Sequence, residues 1–209
     1  KIKKIYDVLF KTTFTAKSLE IAEMSKLVEN AYRSVNIGLV NELKMICNNL
    51  KLNIHNVQDV ASSKPFGFTK FTPGPGVGGH CIPIDPIFID WIARKNKSKA
   101  SFISLARTTN LRVTSWILRN IYKKMPGVKN SKTKKKILIV GIAYKPNVND
   151  IRESSGIEIF KKIKKLNNQV EYLDNKIDSI NIWGKKYSSK NNKDYKKYDA
   201  VIILSLIHI

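Results

Sequence analysis

The chain has 209 residues, 43% of them hydrophobic, which is enough for one or two domains with a buried core. Its 38 Lys and Arg against 16 Asp and Glu give a formal charge of +22, a field that suits polyanions; the excess is lysine dispersed among asparagines, with no arginine stripe or aromatic platform, so nucleic acid is not the expected partner. No apolar run is long enough to span a bilayer, the lysine-rich start lacks the apolar core of a signal peptide, and the two cysteines, Cys47 and Cys81, suggest neither a disulfide framework nor a metal site. The expectation is a cytoplasmic protein without membrane association.

Over residues 19–50, Ile21, Met24, Leu27, Val28, Ala31, Val35, Leu39, Leu43 and Ile46 recur at helical spacing with only Gly38 as a weak point, which predicts one long amphipathic helix. Lys26, Asn30 and Arg33 fall on one face of it and could converge on a ligand, although a solvated polar stripe is the plainer account. A short helix is predicted over 53–61.

The densest signal follows, in Phe71-Thr72-Pro73-Gly74-Pro75-Gly76-Val77-Gly78-Gly79-His80-Cys81-Ile82-Pro83-Ile84-Asp85-Pro86. Glycines permit positive φ and close backbone approach, and prolines fix the path, so Cys81 is presented as a nucleophile would be. The bland alternatives are an ordinary turn and an inert buried thiol. Asp85 is predicted to cap a helix over 86–95, with Pro86 in its first position. A further helix is predicted over 103–124, so residues 1–124 read as one helical unit. Residues 125–136, with Pro126, Gly127, Asn130, Ser131 and a block of lysines, read as a linker.

From 137 the period changes. A short apolar run ending in a loop near Tyr144 predicts a buried parallel strand; a helix over 155–166 and strands over 170–173 and 200–204 complete a β-α-β pattern, so residues 137–209 read as an α/β unit. No G-x-G-x-x-G follows the first strand, so it carries no dinucleotide fingerprint, and Asp174 is read as a loop residue despite standing where a ribose-binding acid would. Lys145 and Arg152 lie at the carboxyl end of that strand, where open α/β sheets bind ligands; surface cations beside Asp150 and Glu153 are the plain alternative.

The string PGPGVGGHCIPIDP resembles the active-site loop of the UDP-glucose/GDP-mannose dehydrogenase family, particularly its UDP-N-acetylhexosamine branch. AEMSKLVENAYRSVNIGLVNE resembles that family's central helix, and the stretch from Gly141 to Ser155 its G-x-x-x-K-x-x-x-x-D-x-R-x-S segment. The resemblance implies an α-helical central, dimerising domain followed by a Rossmann-like α/β UDP-sugar-binding domain with a parallel sheet, and a homodimer formed through the long helix. It also implies NAD-dependent, four-electron oxidation of the C6 hydroxymethyl of a UDP-hexose, either UDP-N-acetylglucosamine or UDP-N-acetylmannosamine, to the uronate for polysaccharide biosynthesis.

The implied roles follow residue by residue. Cys81 forms a thiohemiacetal and then a thioester; Asp85, Lys26 and Asn30 handle water and oxyanion; Phe71, Gly76, Gly78, Gly79, Arg33 and Lys145 meet the substrate; Arg152 reaches the cofactor. The family's amino-terminal NAD-binding Rossmann domain has no counterpart in this sequence, so the chain is expected to be inactive by itself. Lys1 in place of a methionine agrees with a truncated reading frame, and the closing residues 204–209 look like a translated sequencing adapter, which leaves His208 without a role. The alternative is a non-catalytic UDP-sugar-binding or polyanion-binding fragment. A redox-sensing thiol would need a resolving cysteine, and only Cys47 is available.

Overall fold

Short polar side chains start three of the helices where the apolar repeats begin. The computed structural model describes residues 2–129, 134–191 and 194–204, with α1 at Ile2–Leu9, α2 at Leu19–Asn49, α3 at Ile54–Ala61, α4 at Asp85–Lys95 and α5 at Ser101–Lys124. Ser18 Oγ accepts from the Ile21 amide at 3.3 Å and Asn53 Oδ1 from the His55 amide at 2.9 Å, each satisfying an amide that a helix start leaves unpaired. α4 departs from expectation. It begins at Asp85 itself, Ile84 holds the cap position in a helical conformation, and no side chain caps it; the Asp85 carboxylate is directed to another helix. α1, which the pattern did not announce, buries none of its residues. No helix among the described residues is long and apolar enough to cross a membrane.

α2 packs along α5 and against α4. Gly38 sets the closeness of the first pair, since a Cβ there would stand 3.2 Å from the Ala106 carbonyl oxygen. Between these helices are buried Ala31, Val40, Ala106 and Val113 and, with them, Ser34, Asn41, Asn110 and Thr114.

The rest of the chain forms β1 at Lys136–Val140, α6 at Ser155–Lys165, β2 at Gln169–Leu173, β3 at Ser179–Ile182, β4 at Lys185–Ser188 and β5 at Ala200–Ile203. β1 is the middle strand of a parallel sheet ordered β2-β1-β5, with Ile139 opposite both Tyr172 and Ile202. α6 covers the face that carries Ile137 and Ile139, and Tyr198 packs on Leu138 and Val140. Burial on both faces explains why this run is apolar without alternation. Ser154 Oγ caps α6, accepting from Gly156 and Ile157, while donating to the Ile142 carbonyl at 2.5 Å; one hydroxyl thus joins the helix start to the turn after β1.

Two further features were not anticipated. β3 and β4 form an antiparallel hairpin, whose two turn residues, Trp183 (φ 51°) and Gly184 (φ 77°), are both left-handed, as a type I′ turn requires. The segment expected to be a linker is partly packed: Pro126–Lys129 makes a 3-10 turn with Val128 fully buried. Residues 130–133 of that segment, and 205–209 with His208, lie outside the described residues.

Candidate active site

Cys81 is an exposed free thiol, whereas Cys47 is buried in α2. The Cys81 carbonyl accepts from the amides of Ile84 (3.0 Å) and Asp85 (2.8 Å), so the chain turns directly after the thiol and leads into α4. Asp85 Oδ2 accepts from Asn30 Nδ2 at 2.5 Å, across the α2–α4 contact, and Asn30 is only 5% exposed. The contact between α2 and α4 therefore joins Asn30 to the turn that carries Cys81 and Asp85.

Lys26 and Arg33 do not join Asn30. Both cations bind Glu29, at 2.8 and 3.0 Å, with side chains 61% and 55% exposed, and the hydrogen bond from Lys26, followed by the two charges, holds the Glu29 carboxyl below its usual range. Asn30 thus turns inward, while Lys26 and Arg33 form a solvated stripe with Glu29 between them.

The glycine-rich loop is held on two sides. Gln58 Nε2 donates to the Phe71 carbonyl at 2.7 Å, and the Phe71 ring meets Tyr32 edge-on at 5.8 Å. The Gly74 amide donates to Asn41 Oδ1 (2.9 Å), and Thr114 Oγ1 to the Pro75 carbonyl (3.0 Å). Gly76 lies against Ser155. At Gly78 a Cβ would be 2.7 Å from Tyr144 Cβ and 2.9 Å from the Glu153 carbonyl oxygen, and at Gly79 (φ 87°) it would be 2.6 Å from the Tyr144 ring; only glycine lets the turn after β1 come this close. The Gly79 amide donates to the Arg152 carbonyl at 2.9 Å, which bonds the loop to the turn after β1.

Lys145 is exposed and makes no ion pair among the described residues. Arg152 is chelated by Asp150, Nε to both carboxylate oxygens (3.1 and 3.0 Å) and Nη2 to one (2.6 Å). These bonds raise the guanidinium pKa and hold the Asp150 carboxyl below its ordinary value, keeping both charged.

Asp174 is a loop residue, as expected, directly after β2, but a buried one with structural work to do. It is 2% exposed, and its Oδ2 accepts from the Ile142 and Ala143 amides at 2.9 and 3.0 Å while Oδ1 accepts from Lys176. In a dinucleotide cradle the amides after the first strand face a pyrophosphate. Here a buried carboxylate occupies them, so the residues at this turn do not fit NAD. Among the described residues no group of three His, Cys, Asp or Glu could hold a metal ion.

Sequence reading missed Asn41, Asn110, Thr114 and Tyr144. A signal existed for the first: Asn30, Ser34, Gly38 and Asn41 recur at helical spacing, and all are buried.

Comparison with known proteins matches residues 20–112 to the family model described as "UDP-glucose/GDP-mannose dehydrogenase family, central domain" and residues 138–206 to that family's "UDP binding domain". A UDP-N-acetyl-D-mannosamine dehydrogenase of Campylobacter jejuni is 33% identical over 160 residues, covering 77% of this chain and 37% of the relative. One of Methanococcus maripaludis is 35% identical over 161 residues, covering 77% and 36%. Among solved structures, a UDP-N-acetyl-mannosamine dehydrogenase from S. aureus superposes with TM-score 0.74 at 32% identity, and one from Pyrococcus horikoshii with 0.80 at 26%, each over 97% of this chain and 46% of the other. The chain spans 36–46% of the length of these relatives.

Proposed function

Because the chain belongs to the UDP-glucose/GDP-mannose dehydrogenase family, carrying its central and UDP-binding domains, we propose that it is the thiol-bearing part of a cytoplasmic nucleotide-sugar 6-dehydrogenase. That enzyme oxidises the C6 hydroxymethyl of a UDP-N-acetylhexosamine to the uronate, for use in a polysaccharide. UDP-N-acetyl-D-mannosamine is the preferred substrate, since the relatives bear that name. The observation that carries the reading is the Asn30–Asp85 bond, reached by one turn of chain from exposed Cys81.

The Cys81 thiolate adds to the C6 aldehyde; a carbon–sulfur bond forms and the carbonyl oxygen takes a proton, giving a thiohemiacetal. The two oxidations would need NAD as hydride acceptor, and the described residues form no cradle for it. The thioester is then opened by water. Asp85 takes a proton from that water as it adds to the acyl carbon, and the carbon–sulfur bond breaks to return the thiolate. Asn30 holds Asp85 through Oδ2 and leaves Oδ1 for the water, while Lys26, released from Glu29, faces the developing oxyanion. Lys145, outside any ion pair among the described residues, suits a diphosphate; Phe71, Gly76, Gly78 and Arg33 are assigned to the sugar nucleotide, and Arg152 to the cofactor side. The exposed apolar stripe of α2 is assigned to a homodimer.

The test is a fusion of a relative's NAD-binding domain ahead of residue 1, assayed with UDP-N-acetylmannosamine and UDP-N-acetylglucosamine beside Cys81→Ser. Two NADH per sugar, with the variant stalling before the uronate, is the expected result. A folded fusion that binds UDP and yields no NADH overturns the catalytic reading and leaves a UDP-sugar-binding role. Binding that collapses steeply with salt would favour a polyanion instead.

A further inference from the structure

Asn41 is fully buried in the middle of a 31-residue helix, where a carboxamide requires partners on both ends. It has them: Oδ1 accepts from the Gly74 amide at 2.9 Å, and Nδ2 donates to Asn110 Oδ1 at 3.2 Å. Asn110, 2% exposed, donates in turn to the Ser34 carbonyl at 2.9 Å. This run of bonds has a single polarity. Turning over the Asn41 amide would set donor against donor at Gly74, and turning over Asn110 would set acceptor against acceptor at Ser34.

One turn further along α5, Thr114 Oγ1 donates to the carbonyl of Pro75, so two consecutive residues of the glycine-rich loop are tied to the paired helices. From the opposite side the loop is covered by Tyr144 and bonded to the Arg152 carbonyl. The Cys81 side chain is exposed and makes no hydrogen bond among the described residues, so the backbone on either side of it decides where the sulfur stands. A pair of apolar residues of the same shape would serve a helix–helix contact as well as two asparagines do. What an apolar pair could not do is hold the Gly74 amide.

We infer that Asn41 is a positioning residue: oriented by Asn110 and seconded by Thr114, it fixes residues 74–79 and thereby the place of the Cys81 thiol. The inference rests on the proposed function for Cys81 as nucleophile, but the position of a thiol can be read without turnover.

The experiment uses the whole 209-residue chain in a Cys47→Ala background and measures the rate at which iodoacetamide alkylates Cys81, with hydrogen exchange at the Gly74 amide alongside. Asn41→Leu removes both bonds at nearly constant shape. Val113→Ala loosens the same helix pair at a fully buried site that makes no bond to the loop. The expected result is an alkylation rate altered about threefold or more in Asn41→Leu, with faster exchange at Gly74, and the parent rate in Val113→Ala. An unchanged rate in folded Asn41→Leu, or an equal change in Val113→Ala, overturns the assignment. If Asn41→Leu does not fold, Thr114→Val, which removes one hydroxyl, is read by the same criteria. A fusion that yields no NADH while alkylation still responds to Asn41→Leu would sink the catalytic reading and leave the positioning role standing.

Discussion

In the α/β half, Ile137, Leu138, Ile139, Ile159, Phe160, Ile163 and Tyr172 have no exposed surface, whereas on α2 the residues that make its apolar repeat, Ile21, Met24, Val28, Leu39, Leu43 and Ile46, are 38–54% exposed. The inward face of α2 carries Asn30, Ser34, Gly38 and Asn41 instead. One half closes a core on itself with large side chains. The other uses small and polar residues inside, where they reach the Cys81 loop and Asp85, and turns its large side chains outward in a patch of the kind that marks an interface. Stability and site geometry are therefore governed by different residue types in the two halves.

The contrast can be broken most severely at Phe160, whose ring meets Tyr172 and Tyr187 edge-on at 6.4 and 5.2 Å. Phe160→Ala is expected to cost about 3–5 kcal/mol in chemical denaturation; a loss below about 1 kcal/mol would show that the α/β half does not rest on this core. Next comes alkaline pH. Burial, with Asp174 and Asp178 adding to it, pushes the Tyr172 hydroxyl up to about 12, so the folded chain keeps a proton that the unfolded chain releases near pH ~10. The associated stability is complete below pH ~10 and is lost as pH climbs to about 12, on the order of 2 kcal/mol. Tyr172→Phe should flatten that decline in a pH series of unfolding curves.

Gly78→Ala tests the junction between the halves. Its Cβ would press on Tyr144 and the Glu153 backbone, at a cost of about 1–3 kcal/mol, and a thermal shift of that size should be accompanied by altered Cys81 alkylation. The smallest effect on folding is expected at the outer face of α2, where Leu39→Asp should change stability by less than about 0.5 kcal/mol and yet convert the proposed dimer to a monomer in sedimentation. A dimer that survives Leu39→Asp and an equivalent change at Val28 would remove α2 from the interface.

The longer helices and the parallel strands were legible in the sequence because their periods are clear: α2 ends within a residue of expectation, and β1 is the uninterrupted apolar run it looked to be. Which face of α2 is buried was not legible. An apolar stripe reads as core in a single chain, and it takes the loop contacts of Asn30 and Asn41 to show that the polar stripe is the inner one. The hairpin of β3 and β4 had its signal in the alternation of buried Ile180 and Ile182 before Trp183-Gly184. In the site, the pairing of Asn30 with Asp85 spans 55 positions, beyond any spacing rule, and reached the sequence reading only through resemblance. The ion pairs of Lys26 and Arg33 with Glu29, one turn away from each, were not part of the sequence reading, which looked to the ligand face alone.

The bond from Gly79 to Arg152 and the seat of Tyr144 on Gly78 and Gly79 also bear on how such chains can be recombined. The Cys81 loop belongs mechanically to both halves, so a chimaera that exchanges the α/β half with a relative's must take residues 74–81 along with it, or match the incoming residue at position 144 to the glycines it will cover. Joining the pieces at the stretch after α5 without that precaution would preserve both folds and misplace the thiol.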